Sequence, residues 1–389
     1  GLRLVRSGVR SGFSYEDLSG VADVDVAAYR AADRRAGFDL EQGSQMRLKV
    51  LYLGGSRYEF IWSHHHIIMD GWCSSLLIRE YFRLYEGEVL GAVYPYSDYI
   101  KWLEKRDMSA SLSYWRTYLS GYDRVSALPK QVVGDKGVFA GGSIGFSLPS
   151  AQRSGLRELC MSLGITENIF LQTVWGILLG SYSGEEEVLY GTVVSGRPAE
   201  LEGVEEMIGL FINTIPVRIR LEGEMSVKEL LLSVQQSFIA GLPHHYTQLA
   251  AIQAQTPLKQ GLFAHTLTFE NFPVQEWMQQ QVADKQYISN CVLTEIYDTN
   301  DYDFSIIVVP GEQLVFRFTY NKNAHEEAFI SQIKDHFIQL ITTIIKDSSV
   351  AIHPLQTSIR IDHPQSVAAE NVRISNYTAG FSATVSDDF

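Results

Sequence analysis

Trp62-Ser63-His64-His65-His66-Ile67-Ile68-Met69-Asp70-Gly71-Trp72-Cys73 sets three imidazoles in a row, a carboxylate four residues after the last of them, and then a glycine. Upstream, residues 47–53 and 58–62 alternate apolar and polar side chains as paired strands do. Downstream, residues 74–82 repeat their apolar side chains at helical spacing. The cluster therefore falls where a strand gives way to a helix. A neutral imidazole takes up a proton near neutral pH, since its ordinary pKa is about 6.5. Gly71 allows the backbone a sharp turn or a close approach to another group.

Three chemistries compete for these residues. A polar turn with histidines satisfied in a core needs no function at all. A metal site needs complementary His, Cys or carboxylate ligands, as in a helical His-Glu-x-x-His; Cys73, the nearest sulfur, has no partner at Cys-x-x-Cys spacing. A general base serving an acyl transfer fits the residues best.

Composition narrows the classes. The 389 residues are enough for two or three domains with sizeable cores. Lys and Arg number 32 against 45 Asp and Glu, a net charge of −13. An acidic chain without a basic block argues against nucleic-acid binding. No apolar run reaches the roughly 18 residues of a membrane span, and the first residues lack the apolar core of a signal peptide. Three distant cysteines, Cys73, Cys160 and Cys291, make no disulfide framework and suit a reducing, cytoplasmic setting.

The segment His65-His66-Ile67-Ile68-Met69-Asp70-Gly71 resembles the HHxxxDG signature of nonribosomal peptide synthetase condensation domains. Further segments resemble that family in the expected order. Phe38-Asp39-Leu40-Glu41-Gln42-Gly43 matches FDL-x-x-G. Tyr96-Ser97-Asp98-Tyr99-Ile100-Lys101-Trp102 matches YxDY-x-x-W, and Tyr114-Trp115 with Leu119-Ser120-Gly121 matches YW-x-x-x-L-x-G. Ile208-Gly209-Leu210-Phe211-Ile212-Asn213-Thr214 matches IG-x-F-x-NT. Thr268-Phe269-Glu270-Asn271-Phe272-Pro273 and Asn300-Asp301-Tyr302-Asp303-Phe304 are looser matches. Two motifs that open the family, one containing arginine, are not visible upstream of Phe38. The chain is therefore expected to begin inside the first subdomain.

Coarse patterning gives the elements. Helices are expected over 23–36, 96–121 as an amphipathic pair, 166–181 with an apolar stripe capped at Thr166, 226–240 and 328–347. Strands are expected over 46–53, 187–194 and 210–218, with two long strands within 285–320 around the Pro310-Gly311 turn. The turn-rich residues 122–142 read as a linker. The expected division is 1–125, 126–360 and a tail or linker at 361–389.

What the resemblance implies is an α/β fold of two chloramphenicol-acetyltransferase-like subdomains in a V with a central tunnel. The implied reaction is amide formation between a donor acyl or peptidyl thioester and an acceptor aminoacyl thioester. Both ride on peptidyl carrier proteins, upstream and downstream, next to an adenylation domain. The phosphopantetheine arms belong to those carriers, and no intrinsic cofactor or metal is expected. His66 is implied as base or positioning group, with His65 and Gly71 shaping the turn and the Gly71 N–H facing the reacting centre. Asp70 could orient an imidazole, as acids do in triads. The resemblance instead pairs it with an arginine of the second half: Arg197, in Ser195-Gly196-Arg197-Pro198, with Arg218 as fallback. Trp72, Asn213 and Tyr302 are candidates for the tunnel wall. His244 and His245 are expected to be structural, because no acid stands at a spacing that would orient either ring.

Close relatives in function are separated by the same motif. An epimerization domain follows Asp-Gly with a Val-Ser-Trp-like run, where this chain has Trp72-Cys73-Ser74. A heterocyclization domain replaces the histidines by aspartates, and a non-catalytic partner-recruiting relative carries a degraded motif. The Met69-Asp70-Gly71-Trp72-Cys73 version resembles domains that join two L-residues.

Overall fold

A run that alternates in polarity becomes a strand only if one of its faces finds a cover, and a helix apolar on every side must be covered all round. The computed structural model describes residues 12–132, 139–270 and 302–359. In chain order these form β1 (Phe13–Asp17), α1 (Val26–Ala36), β2 (Met46–Gly54), β3 (Arg57–His64), α2 (Gly71–Tyr85), α3 (Tyr96–Glu104), α4 (Met108–Tyr118), β4 (Gly141–Ser147), α5 (Ser150–Leu163), α6 (Glu167–Ser183), β5 (Glu187–Val194), β6 (Asn213–Arg220), α7 (Val227–Gly241), α8 (Leu249–Gln253), β7 (His265–Phe269), β8 (Phe304–Val309), β9 (Val315–Asn321), α9 (Glu327–Lys346) and α10 (Ile352–Thr357).

The result is an α/β fold with two sheets. The first has the order β1-β2-β3, with β1 parallel and β3 antiparallel to β2. Its odd-numbered face meets α1 through the ion pairs Arg30–Glu59 and Arg47–Asp33. Its even-numbered face meets α2 through Phe60 and Tyr81, whose ring centroids are 6.3 Å apart. The second sheet has the order β4-β9-β8-β7-β5-β6, with β5, β7 and β8 mutually parallel, β6 and β9 antiparallel to them, and β4 antiparallel to β9.

The core sits behind that second sheet. Every residue of α6 from 169 to 180 is buried, so this helix is apolar all round rather than along one stripe. Thr166 caps it, accepting the Ile169 N–H at 3.2 Å. A Cβ at Gly176 or Gly180 would lie 2.4 Å from Ile219 Cδ1 or 2.2 Å from Leu221 Cδ1, which is why β6 and its end can press against the helix. Three apolar clusters make the core, and none contains a described residue before Tyr96. No single helix among the described residues is long and apolar enough to cross a membrane.

Several boundaries differ from the periodicity reading. α1 starts at Val26 rather than 23, because Asp25 accepts the Ala28 N–H and ends the preceding turn. The strand expected over 210–218 begins at Asn213 instead, since the N–H groups of Phe211 and Ile212 bond a side chain and not a neighbouring strand. The Pro310-Gly311 turn does join two strands, but they are short, β8 and β9; residues 285–301 and the loop 271–273 lie outside the described residues.

Candidate functional site

β3 ends at His64, and a turn over 65–68 leads to α2. The turn is closed by the Ile68 N–H donating to His65 O at 3.2 Å and anchored by the His65 N–H donating to Gln45 O at 3.0 Å. The Ile67 N–H donates to His65 Nδ1 at 3.0 Å. That bond makes Nδ1 an acceptor and leaves the neutral ring's proton on Nε2. His65 thus shapes the turn, and its ring stands edge-on to Phe38, 6.3 Å away. His66 is exposed, with its ring edge-on to His64 at 5.7 Å. Gly71 is the first residue of α2 and takes no left-handed φ, so the sharp bend expected of it is made by the preceding turn.

Asp70 is the N-cap of α2 and wholly buried. Its Oδ1 accepts from the Cys73 N–H at 3.3 Å, the Cys73 thiol at 3.2 Å and Arg197 Nη2 at 3.3 Å. Its Oδ2 accepts from the main-chain N–H groups of Phe211 at 2.9 Å and Ile212 at 3.3 Å. All five donors come from α2 or from the loop between β5 and β6. The Arg197 side chain is 5 % exposed; it also donates to the carbonyls of Met207, at 3.0 Å, and Val204. Its guanidinium lies 3.9 Å from the Phe211 ring centroid and 5.4 Å from that of Trp72. A buried pair with every oxygen engaged is tolerable; one stripped of its partner is not. Arg218 is elsewhere, paired with Glu187 at 2.8 Å and donating to Tyr118 O and Ser120 O.

The loop 195–212 is thereby gripped from the first half of the chain. Trp72 Nε1 donates to Glu205 O at 2.9 Å and Tyr96 Oη to Leu210 O at 2.6 Å. Tyr99, Val204, Met207 and Phe211 form a small apolar cluster at the contact. Gly196 has φ 61°, and a Cβ there would strike Phe211 O at 1.8 Å. A Cβ at Gly209 would enter the Tyr96 ring at 2.0 Å.

The three side chains expected on a tunnel wall each engage a different part of the second half. Trp72 holds Glu205. Asn213 Nδ2 donates to the carbonyls of His245, at 2.8 Å, and Thr247, at 2.6 Å. Tyr302 packs on Phe263, centroids 5.8 Å apart. Two cavities among the described residues, one of about 20 Å³ lined by Tyr114, Trp115, Gln172 and His245 and an open one of about 330 Å³ beside Glu186 and Arg220, are lined neither by the histidine turn nor by Asp70 or Arg197. His245 is buried, and burial, with His244 next to it, pushes its pKa down to about 4. His244 stacks on Tyr114 at 4.3 Å and its Nδ1 meets Ser111 Oγ at 2.9 Å.

Sequence reasoning passed over Cys73, although its spacing from the N-cap Asp70 marks it as the residue whose N–H a cap receives. It also passed over the two N–H groups of 211 and 212, which no side-chain pattern reveals.

A family model described as Condensation domain matches residues 11–358. The chain is 35 % identical over 328 residues to surfactin synthase subunit 3 of Bacillus subtilis (strain 168), covering 83 % of this chain and 26 % of that protein. It is 32 % identical over 357 residues to tyrocidine synthase 2 of Brevibacillus parabrevis, covering 90 % and 10 %. It thus spans a small part of the curated relatives it matches. Among solved structures it resembles holo-AB3403, a four-domain nonribosomal peptide synthetase bound to AMP and glycine, with a TM-score of 0.75, 18 % identity, and coverage of 89 % of this chain and 28 % of that one. It also resembles the X-domain from teicoplanin biosynthesis, with a TM-score of 0.72, 16 % identity, and coverage of 90 % and 81 %. The match over nearly all of its described length makes this chain a member of the condensation domain family of nonribosomal peptide synthetases.

Proposed function

We propose that the chain joins a donor acyl or peptidyl thioester to an acceptor aminoacyl thioester, both carried on phosphopantetheine arms of peptidyl carrier proteins, in the cytoplasm and beside an adenylation domain. The acceptor amine attacks the donor carbonyl, the C–S bond breaks, and the donor thiol leaves. His66 takes the ammonium proton or holds the amine for attack; a general base is worth about 10²- to 10⁴-fold. On this proposal the chain divides at 125/126, with 361–389 apart, and Met69-Asp70-Gly71-Trp72-Cys73 belongs to a domain joining two L-residues. The observation that carries it is the exposed His66 imidazole on a turn whose following carboxylate is held by Arg197 and two main-chain N–H groups.

The test is a peptide-bond assay with loaded upstream and downstream carriers, read by intact-protein mass spectrometry. His66→Ala is expected to fold and to lose product by about 10²-fold or more, with His64→Ala losing far less. Equal product from wild type and His66→Ala sinks the assignment. Carrier-bound substrates are expected to outperform free aminoacyl thioesters, since tethering supplies effective concentrations in the mM range. Equal turnover of the two forms would point to a small-molecule acyltransferase instead.

A further inference from the structure

We infer that Cys73 is a positioning residue for the reaction proposed above, its thiol being the hub that joins the Asp70 carboxylate, Arg197 and the Gly209 main chain. The inference rests on that proposed reaction and adds a residue to it. Cys73 is the third residue of α2 and wholly buried. Its sulfur lies 3.2 Å from Asp70 Oδ1, 3.1 Å from Gly209 O, 3.3 Å from the Gly209 nitrogen and 3.3 Å from Arg197 Nη2. The Gly209 N–H and the guanidinium N–H donate to sulfur, and the single S–H proton goes to Asp70 Oδ1, Gly209 O or, at 3.9 Å, Met207 O. A thiolate there would face these oxygens without a proton between. Burial holds the thiol above its ordinary pKa, with the Asp70 charge adding to the rise and the Gly209 N–H opposing it.

Asp70, which the hub holds, stands two residues after the histidine turn of 65–68. Its position therefore sets where the turn ends and how His66 is presented. Small misplacements of a reacting group cost far more than the contact that caused them: about 10²-fold for 1 Å. Losing the sulfur leaves the guanidinium and the Gly209 amide each short of an acceptor, and leaves the loop free to shift against α2.

Three substitutions separate hydrogen bonding from filling space. Cys73→Ala removes the sulfur, Cys73→Val keeps bulk without a polar atom, and Cys73→Ser keeps a donor and acceptor in a smaller group. In the loaded-carrier assay, Ala and Val are expected to lower the rate at saturating carriers about tenfold, as the loss of a hydrogen bond to a charged group does. The carrier concentration at half-maximal rate should stay the same. Ser is expected to recover the rate to within about threefold of wild type, on the same scale. A Val variant as fast as wild type overturns the inference, and so does a Ser variant no faster than Ala. Should Val fail to fold, the Ser and Ala pair decides alone. A wild-type protein that makes no product defeats the proposed reaction; a wild type that works, a dead His66→Ala and a fast Cys73→Val defeat the role of Cys73 only.

Discussion

Asp70 and Arg197 meet across 127 positions of sequence, and each is almost wholly removed from water. Truncating one member leaves the other charge buried with fewer partners, a loss of roughly 3–5 kcal/mol. Asp70→Ala and Arg197→Ala are each expected to lower the thermal midpoint as well as product formation. The double variant is expected to fall short of the sum of the two, because the second truncation no longer strands a charge. A double-mutant cycle in urea measures this; strictly additive losses would mean that the two residues act separately. At this scale the residues could be read from the chain because the acid and the arginine each sit in a recognisable short motif. What could not be read is that Asp70 also binds main-chain amides at 211 and 212, since an amide leaves no mark in the alphabet of side chains.

At the scale of elements, the loop between β5 and β6 carries the strongest steric demands. Gly196 holds a left-handed φ with Phe211 O in the space of a side chain, and Gly209 lies against the face of Tyr96. Gly196→Ala is therefore expected to cost about 1–3 kcal/mol for its backbone alone, and more for the clash with a main-chain oxygen. Gly209→Ala should be milder, because the Tyr96 ring can swing where a backbone cannot. Calorimetric midpoints and loaded-carrier turnover check both; a Gly196→Ala protein as stable and active as wild type would refute the demand placed on this loop. Helices were legible in the sequence where apolar side chains recur at helical spacing, as over 226–240 for α7, and over 166–181 for α6, which Thr166 caps as expected. The start of β6 was not, because the apolar residues Leu210-Phe211-Ile212 run straight into the strand while the amides of 211 and 212 turn away to the carboxylate.

Across the whole molecule, the second sheet and α6 hold the main apolar cluster, whereas the first sheet leaves Phe13, Tyr15, Tyr58 and Phe60 about half exposed. Three buried histidines spread through the larger half tie its stability to pH. Burial lowers His265 to about 3, helped by the charge of His325, and lowers His245 and His325 to about 4. His265 accepts the Trp175 indole N–H at 3.0 Å and stays neutral. In the unfolded chain these rings titrate near 6.5. Below that value the unfolded state binds protons that the folded state refuses, so stability rises with pH across the window from about 4 to 6.5. Each ring contributes about 1.4 kcal/mol per pH unit there. The lowered carboxylates Asp33, Glu187 and Asp303 act at more acid pH, where they must be protonated. Urea midpoints at pH 7 and pH 5 are expected to differ clearly in favour of pH 7, and His325→Gln should reduce the difference. Equal midpoints would contradict a neutral buried state for these rings. None of this was legible beforehand, since burial belongs to the tertiary structure and a histidine looks the same in a core and on a surface.

The contact from Asp70 to the amides of 211 and 212 also bears on how freely this region can change over generations. Every residue but proline offers such an amide. The carboxylate therefore reads the path of the loop and not its spelling. Ile212 can drift among many side chains with the grip unchanged, while Phe211 is tied by the guanidinium on its ring. A graft of residues 195–212 from a distant homologue should seat on the same helix. It needs to keep the arginine and the three crowded glycines, Gly196, Gly203 and Gly209, and to place no proline at 211 or 212.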